Sequence, residues 1–378
     1  MKVSEDILSH IFSDASLICG REDVIHAVIY HHLVRSGIDS QRISREQRLS
    51  KGPIDIALFK ENFNGNFSTT TDIPEVVIEV KGGAYGNRNA LLQEIDAGGY
   101  CKDMDKLRLE AEKGVECWFL CVDMAELGRA VMSPKLQLIS ERCSSLGICF
   151  AYYCQGDSIF HLSTPRNNLT QVPLVKKVAR EPRRADGFIL ERGSLKLDAF
   201  AAACLSVSGH EANCTARFYH CLRNAGYRTE QISLETYFSF AARPGQKMQQ
   251  RPDLVIFNDK FDGRFNLYKN GNRKHSNDAH KLSHIDAIFE IKGGASMNKK
   301  SDKEVMSAYI GDIQKLALWR KNAALSYSDT MMNSIFLGVD GRPRGFSESQ
   351  LSELHCKSRA LGSNVLYISR QRLEILAV

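Results

Sequence analysis

The chain has 378 residues, of which 43% are hydrophobic and 25% are charged. This length exceeds that of one ordinary domain, and the composition is that of a folded globular protein, which excludes a disordered or fibrous chain. The net charge of +6 and the isoelectric point near 8.7 permit a polyanionic partner such as a nucleic acid. No apolar run approaches the roughly 20 residues that cross a bilayer, which predicts no membrane association.

The first half of the chain predicts an alternation of helices and strands. The pattern predicts an α/β fold with a mixed sheet and helices on both faces. The predicted helices lie near residues 3–13, 21–36, 88–112 and 134–145, and the predicted strands near 53–59, 75–81, 116–122 and 148–153.

The cysteines and the N-terminus indicate where the protein resides. The eleven cysteines are odd in number and form no CxxC pair. A disulfide framework or a zinc site is therefore not expected, and a reducing compartment fits. The first residues, MKVSEDILSHIF, carry acids where a signal peptide has basic residues. We therefore predict a cytoplasmic protein.

The second half of the chain repeats the first. Residues 20–22 (GRE) match 209–211 (GHE), and 55–59 (DIALF) match 253–257 (DLVIF). Further on, 78–84 (IEVKGGA) match 289–295 (FEIKGGA), and 119–123 (FLCVD) match 336–340 (FLGVD). The matches keep one order, with gaps in polar loops that accept insertions. The pattern predicts two tandem domains that arose by internal duplication.

The boundaries between the predicted domains follow from composition. Residues 165–193 hold three prolines and an excess of Lys and Arg, as is typical of a connector. We therefore predict a first domain over residues 1–164 and a second over 194–378. The basic connector is expected to be free to track phosphates.

Charged residues recur at matching strand ends in both halves. Side chains alternate along a strand, so Glu79 and Lys81 point the same way, roughly 7 Å apart. If this strand pairs with the one that begins at Asp55, the three side chains converge at one sheet edge. The second half repeats the arrangement with Asp253, Glu290 and Lys292.

Two carboxylates and an ammonium group suit metal-assisted cleavage of phosphodiesters. Carboxylate oxygens are the ligands that Mg²⁺ prefers, and a bound Mg²⁺ activates water and neutralises charge on the phosphate. The lysine would orient or deprotonate the attacking water and stabilise the transition state. Glycines 82–83 and 293–294 follow directly, and they would let a phosphate backbone approach closely.

These residues resemble the PD-(D/E)XK nuclease superfamily, whose core is αβββαβ. The pattern, an acid that opens one strand and (D/E)-X-K on the next, reads PID at residues 53–55 with EVK at 79–81, and PD at 252–253 with EIK at 290–292. The resemblance implies two restriction-endonuclease-like domains. It implies that Asp55, Glu79, Asp253 and Glu290 are metal ligands and that Lys81 and Lys292 are the catalytic lysines. Many members also have a glutamate on the preceding helix, which falls on Glu22 and Glu211.

Several neighbouring residues have competing interpretations. Ser208 and Glu211 have the spacing of a capping box, so Glu211 is either a helix cap or a metal-facing acid. His26 lies one turn after Glu22, but its counterpart is Thr215, which argues against a required catalytic role. The matched pairs that remain open are Glu46 with Glu235 as metal-site or structural acids, His31 with His220 as packing or surface residues, and Tyr100 and Lys106 with Tyr309 and Lys315 as phosphate contacts or a solvated face.

The sequence leads to three functional hypotheses. The first is a Mg²⁺-dependent DNA endonuclease, with Mn²⁺ able to substitute, that cuts double-stranded DNA as an internal pseudo-dimer with two active sites and can act as a monomer. The second is a nuclease of branched DNA, single strands or RNA, and the third is a non-catalytic DNA-binding subunit of a defence or repair complex. A restriction or phage-defence role follows by analogy alone. The insertion at residues 261–281 is predicted to be a substrate-contacting loop or a surface excursion.

Overall fold

The computed structural model describes most of the chain as two compact units. The described residues are 3–83, 99–123, 133–175, 188–240, 248–265, 268–269, 272–273, 277–326 and 332–377. Unit 1 comprises Met1–Asn64, Thr69–Glu181 and Arg264–Lys274, and unit 2 comprises Gly65–Ser68, Pro182–Gly263 and His275–Val378. Among the helices of the described residues, none is long and apolar enough to cross a membrane.

Unit 1 is built on a seven-stranded mixed sheet whose strands follow chain order. Its strands are β1 (Ile43–Leu49), β2 (Gly52–Leu58), β3 (Val76–Gly83), β4 (Glu116–Asp123), β5 (Ile148–Cys154), β6 (Ile159–Thr164) and β7 (Asn167–Pro173). The pairs β3–β4 and β4–β5 are parallel, and the other pairs are antiparallel.

Four helices accompany this sheet in the described part of unit 1. They are α1 (Glu5–Ala15), α2 (Glu22–Arg35), α3 (Gly99–Ala111) and α4 (Ser133–Ser145). Helix α1 begins after Ser4, whose hydroxyl oxygen accepts a hydrogen bond from the Ile7 amide at 3.3 Å. Val77, Ile78 and Val80 of β3 are fully buried. This strand is apolar over most of its length because side chains on both faces of the sheet are covered.

Unit 2 has a six-stranded mixed sheet in the order β17-β16-β15-β14-β11-β8. The strands from the second half of the chain are β8 (Ile232–Leu234), β9 (Phe238–Phe240), β10 (Met248–Gln250), β11 (Leu254–Phe257), β12 (Tyr268–Lys269), β13 (Asn272–Arg273), β14 (Ile285–Lys292), β15 (Asn333–Asp340), β16 (Asn364–Ser369) and β17 (Leu373–Leu376). The helices are α5 (Leu197–Leu205), α6 (Glu211–Asn224), α7 (Asn277–Leu282), α8 (Ala295–Asn298), α9 (Asp302–Ser326) and α10 (Glu348–Ala360). Strands β9 with β10 and β12 with β13 form separate two-stranded ribbons.

The two sheets share one succession of strand directions. From β8 to β17, the pairs are antiparallel, antiparallel, parallel, parallel and antiparallel, as they are from β1 to β6. The predicted mixed sheet within an α/β protein is therefore confirmed. Sequence reasoning missed β1, β6 and β7, and the predicted helix over residues 88–112 is described only from Gly99.

The units differ from the predicted domains at their edges. The predicted connector, residues 165–193, begins inside the β6–β7 hairpin, and residues 176–187 lie outside the described part of the chain. The prolines that indicated a connector from residue 165 are compatible with a strand, because an edge strand such as β7 tolerates proline at its end. The predicted end of the first domain therefore lies before β7. Each unit also contains a short segment from the other half, Arg264–Lys274 in unit 1 and Gly65–Ser68 in unit 2. A cut at one sequence position could not predict these segments.

Candidate active sites

Asp55 lies in unit 1 on β2, next to β3. The two strands are antiparallel, with Ile56 opposite Ile78. This register brings the Asp55 carboxylate to the β3 backbone, where Oδ2 accepts a hydrogen bond from the Val80 amide at 2.7 Å. The structure thus brings Asp55 beside the E-V-K segment of β3, as the sequence predicted.

Glu79 is the most deeply buried acid of this group, with a side chain that is 1% exposed. Burial raises its pKa to about 9, and the neighbouring Asp55 contributes both as a like charge and as a hydrogen-bond partner. Its Oε1 accepts a hydrogen bond from Nζ of Lys106 on α3. One buried carboxyl group therefore stays protonated at neutral pH unless another cation joins Lys106.

Lys81 reaches carboxylates on both sides. Its Nζ lies 3.0 Å from Oδ2 of Asp103 and 3.8 Å from Oε1 of Glu22. Burial by itself would lower the pKa of Lys81, but Glu22, Asp103 and Asp55 outweigh burial and raise it. Lys81 is therefore charged at neutral pH. In this arrangement its ammonium group can stabilise negative charge.

Glu22 begins α2 and faces the site. Its Oε2 accepts a hydrogen bond from the Gly82 amide at 3.2 Å, and the helix cap is the preceding residue, Arg21. Burial raises the pKa of Glu22 to about 7, with Lys81 opposing the shift and Asp55 adding to it. Glu22 therefore lies beside Gly82 and Lys81 and is not the N-cap of α2.

His26, one turn further along α2, lies against Asp55. Its Nε2 is 3.6 Å from Oδ2 of Asp55, and its Nδ1 is 2.9 Å from Nη2 of Arg45. Burial lowers the pKa of His26 to about 4, and Asp55 opposes part of that shift. Possible donor atoms of Glu22, His26 and Asp55 lie within 4.8 Å of one another, which makes this a candidate metal cluster in the described part of the chain.

Unit 2 contains a corresponding group on β11 and β14. Oδ2 of Asp253 accepts a hydrogen bond from the Ile291 amide at 2.7 Å, and Oε2 of Glu211 accepts one from the Gly293 amide at 3.3 Å. Nζ of Lys292 lies 3.2 Å from Oε2 of Glu211. The backbone contacts of unit 1 are therefore reproduced here.

The electrostatics of the acids in unit 2 also favour a cation. Burial raises the pKa of Asp253 to about 7 and that of Glu290 to about 9. Asp253 adds to the rise at Glu290, and Glu211 and Glu235 add to the rise at Asp253, because like charges repel. The pKa of Asp55 is instead lowered, because His26, the hydrogen bonds with Glu79 and Val80, and Lys81 outweigh the effect of its burial.

The capping box predicted for Ser208 and Glu211 is wrong. The N-cap of α6 is His210, and no side chain caps this helix. The Ser208 hydroxyl donates to Oδ1 of Asn66 at 2.6 Å, and the Glu211 carboxylate faces β14. The spacing matched, but the helix starts at Glu211, so Ser208 lies too far outside it to act as the cap.

Helix-borne residues that sequence reasoning missed complete both sites. Asp103 is 9% exposed and binds both Lys81 and Lys106, at 3.0 and 2.8 Å. Its counterpart Asp312 lies 3.4 Å from Nζ of Lys292 and pairs with Lys315. The signal was present, because both acids precede a matched lysine by three residues, one helical turn. The solvated-face reading therefore fails for Lys106, while Lys315 is 63% exposed.

The glycines after each lysine have a structural role that the sequence did not predict. A Cβ on Gly82, whose φ is +157°, would lie 2.1 Å from the Val122 carbonyl oxygen. On Gly294, whose φ is +84°, it would lie 2.6 Å from the Gly209 carbonyl oxygen. The space beside these glycines is already filled by backbone, so these two positions do not open a path for phosphate.

The other matched residues have varied positions. Glu46 and Glu235 both have positive φ, 52° and 54°, and Glu46 is skipped in the β1–β2 register opposite Asp55. Glu235 pairs with Arg251 at 2.5 Å and raises the pKa of Asp253. His31 is buried, His220 is partly exposed and Tyr309 is buried, whereas the side chain of Tyr100 lies outside the described residues.

The 261–281 insertion is partly packed against its surroundings. Phe261 and Phe265 are fully buried, and Lys281 donates a hydrogen bond to the Tyr237 carbonyl oxygen at 2.6 Å. Lys281 also pairs with Asp278 at 2.8 Å, and both side chains are nearly inaccessible. The described parts of this insertion are therefore not a loose surface excursion.

The residues present fit a divalent cation. Each site offers oxygen donors from an aspartate and two glutamates, the set that Mg²⁺ and Mn²⁺ prefer. Burial raises the pKa of Glu79 and of Glu290, and the neighbouring aspartates add to the rise, so both carboxyl groups are costly to ionise without a further cation. A bound cation would relieve this repulsion.

Comparisons with protein families and with curated proteins found no match. No protein-family profile matches the chain, and no curated protein is detectably similar to it in sequence. The geometry of the two sites is therefore the basis for assigning a function to the chain.

Proposed function

We propose that the chain is a Mg²⁺-dependent endonuclease built from two restriction-endonuclease-like units that arose by tandem duplication. One observation carries the proposal. In each unit an aspartate on the second sheet strand accepts the amide hydrogen of the residue between a glutamate and a lysine on the third strand, at 2.7 Å in both. An arrangement repeated with this precision in both halves, with buried acids at its centre, is typical of a site rather than of chance surface charge.

The charge of each residue determines its proposed role. Asp55 and Glu79, with Glu22 beside them, would hold the cation in unit 1, and Asp253, Glu290 and Glu211 would hold it in unit 2. When bound, Mg²⁺ lowers the pKa of its water and neutralises charge on the phosphate, and Mn²⁺ is expected to substitute. Lys81 and Lys292 remain protonated and donate hydrogen bonds to the negative charge that develops on the phosphate oxygens.

Asp103 and Asp312 position the catalytic lysines. Each contacts the lysine of the third strand, so the ammonium group is held over the carboxylates instead of turning to solvent. A positioned charge stabilises the transition state without reorganisation at the moment of reaction. In unit 1, Lys106 adds a second positive charge at Glu79.

The proposed substrate is double-stranded DNA. The net charge of +6 favours a polyanion, and two sites in one chain suit the two strands of a duplex. Under this proposal the chain acts in the cytoplasm as a monomeric pseudo-dimer, with restriction or phage defence as a role suggested by analogy.

Incubation of supercoiled plasmid with Mg²⁺, Mn²⁺ or EDTA tests the proposal. We expect metal-dependent linearisation, and its loss in the double variant Lys81→Ala/Lys292→Ala. Discrete fragments would indicate sequence-specific cutting and a smear would indicate non-specific cutting. Plasmid that stays intact with every metal, while the protein binds DNA, would refute the proposal and favour a binding subunit. Cleavage of only branched, single-stranded or RNA competitors would replace the substrate.

A further inference from the structure

Arg45 fixes the protonation of His26. Nη2 of Arg45 lies 2.9 Å from Nδ1 of His26, both residues being buried. A guanidinium group has only donors and keeps its proton in proteins, so Nδ1 must accept with its lone pair. The single imidazole proton of His26 is therefore on Nε2.

This protonated nitrogen faces the first site. Nε2 is buried, makes no hydrogen bond in the structure and lies 3.6 Å from Oδ2 of Asp55. A metal-binding nitrogen needs its lone pair, which Nε2–H does not offer. His26 therefore belongs to the Glu22–His26–Asp55 cluster as a donor, and the carboxylates are the ligands.

We propose that His26 is a positioning residue of the first site. The Val80 amide donates a hydrogen bond to Oδ2 of Asp55, and Nε2–H of His26 faces the same oxygen at 3.6 Å, so the positive ends of both N–H groups favour one orientation of the carboxylate. Hydrogen bonds behind a ligand orient it and commonly change metal affinity and activity by about 10–100-fold. This inference rests on the proposed function.

The second site has no histidine or arginine at the positions that correspond to His26 and Arg45. The counterpart of His26 is Thr215, whose hydroxyl donates to the Glu211 carbonyl oxygen of its own helix at 3.4 Å, and the counterpart of Arg45 is Leu234. Of the two donors that face Asp55, Asp253 has a counterpart only to the backbone amide, which is that of Ile291. The two sites are therefore unequal, and the first binds its cation more tightly and cuts first.

Metal affinity tests the inference without reference to cleavage. In the Glu290→Gln background, which disables the second site, Mn²⁺ is titrated by calorimetry into the otherwise unchanged protein, into His26→Ala and into His26→Gln. We expect about 10–100-fold weaker binding for His26→Ala and partial recovery for His26→Gln, which retains a donor. Equal affinity in all three, with unchanged melting temperatures, would overturn the inference. Thr215→Ala in the Glu79→Gln background is the matched control and should change nothing.

The ring nitrogens of His26 give an independent readout. Nitrogen-15 spectra should show the Nε2–H tautomer before and after addition of Mg²⁺, and Arg45→Leu should abolish that preference. A proton on Nδ1, or a Nε2 signal that changes to that of a metal ligand, would overturn the inference.

Nicking assays then distinguish the proposed role of His26 from the proposed nuclease activity. In the Lys292→Ala background His26→Ala should slow nicking by about 10–100-fold. Weakened Mn²⁺ binding in a protein that cuts no nucleic acid would support the role of His26 and refute the nuclease. Nicking that is unaffected by His26→Ala would refute the role of His26 alone.

Discussion

Oδ2 of Asp103 on α3 lies 3.0 Å from Nζ of Lys81 on β3, and Oδ1 of the same carboxylate lies 2.8 Å from Nζ of Lys106. One helix-borne acid thus holds two lysines over the buried carboxylates. It ties the position of the proposed catalytic lysine to the packing of α3 on the sheet. Under the proposed function Asp103 is therefore a positioning residue that need not touch the substrate.

Substitution of Asp103 by Asn should reduce cleavage by unit 1. The amide cannot neutralise Lys81, so the ammonium group loses its restraint, and a misplacement of about 1 Å can cost about 100-fold in rate. The measurement is the nicking rate in the Lys292→Ala background. Asp105→Asn, an exposed residue of the same helix, is the control. Equal rates for the two variants would show that Asp103 does not position the lysine.

If the proposed function is right, single lysine variants should nick plasmid DNA where the unchanged chain cuts both strands. Lys81→Ala leaves the unit 2 site intact, and Lys292→Ala leaves the unit 1 site intact, because each lysine pairs only with residues of its own unit in the described contacts. Plasmid gels should show open circles for each single variant and intact supercoils for the double variant. Loss of all cleavage in either single variant would show that the sites do not act independently.

The stability of the metal-free protein should fall as the pH rises. Glu79 has a folded-state pKa of about 9 against an ordinary value of 4.5, and Glu290 has the same shift. A carboxyl group with a raised pKa binds more protons in the folded chain, so its stabilisation is full below pH 4.5 and is lost as the pH rises toward about 9. Thermal melts in EDTA should show this loss. Glu79→Gln/Glu290→Gln should flatten the profile, and an unchanged slope would contradict the assignment.

Divalent cations should offset that loss. A cation bound at the carboxylates stabilises the folded chain by mass action, and it competes with the protons that Glu79 and Glu290 retain. Mg²⁺ should therefore raise the melting temperature more near pH 8 than near pH 5. Asp55→Asn/Asp253→Asn should lose most of this increment. A gain that is independent of pH would place the bound ion elsewhere.

A buried ion pair should be essential to the stability of unit 2. Arg342 binds Asp340 through Nε at 2.8 Å and through Nη2 at 2.6 Å, and the Tyr367 hydroxyl donates to the same carboxylate at 2.8 Å. Arg342→Ala leaves a buried carboxylate uncompensated, which costs about 3–5 kcal/mol. In urea unfolding of the full chain, one transition should show this loss of unfolding free energy. Arg344→Ala, at an exposed neighbour, should lie within about 0.5 kcal/mol of the parent.

The sequence by itself determined the parts of this protein that depend on local pattern. Apolar runs with period 2 or 3.6 located β2 to β5 and most helices, and charged residues inside such runs identified Asp55, Glu79 and Lys81 with their counterparts. These signals are readable because burial constrains each residue in a segment directly. The edge strands β1 (ISREQRL) and β7 (NNLTQVP) contain no apolar run, since one side of an edge strand has no neighbouring strand. The six residues of β6 (IFHLST) likewise contain no long apolar run.

Only the tertiary structure decided which residues meet across elements. It placed Asp103 against Lys81 and Arg45 against His26. It also placed Glu211, for which the sequence left a helix cap or a metal-facing acid open, beside Lys292. It also filled the space beside Gly82 with backbone. Such contacts depend on the register and crossing of distant segments, to which spacing along the chain gives no direct guide. For the same reason the protonation state of His26 follows from its fold and not from its neighbours in sequence.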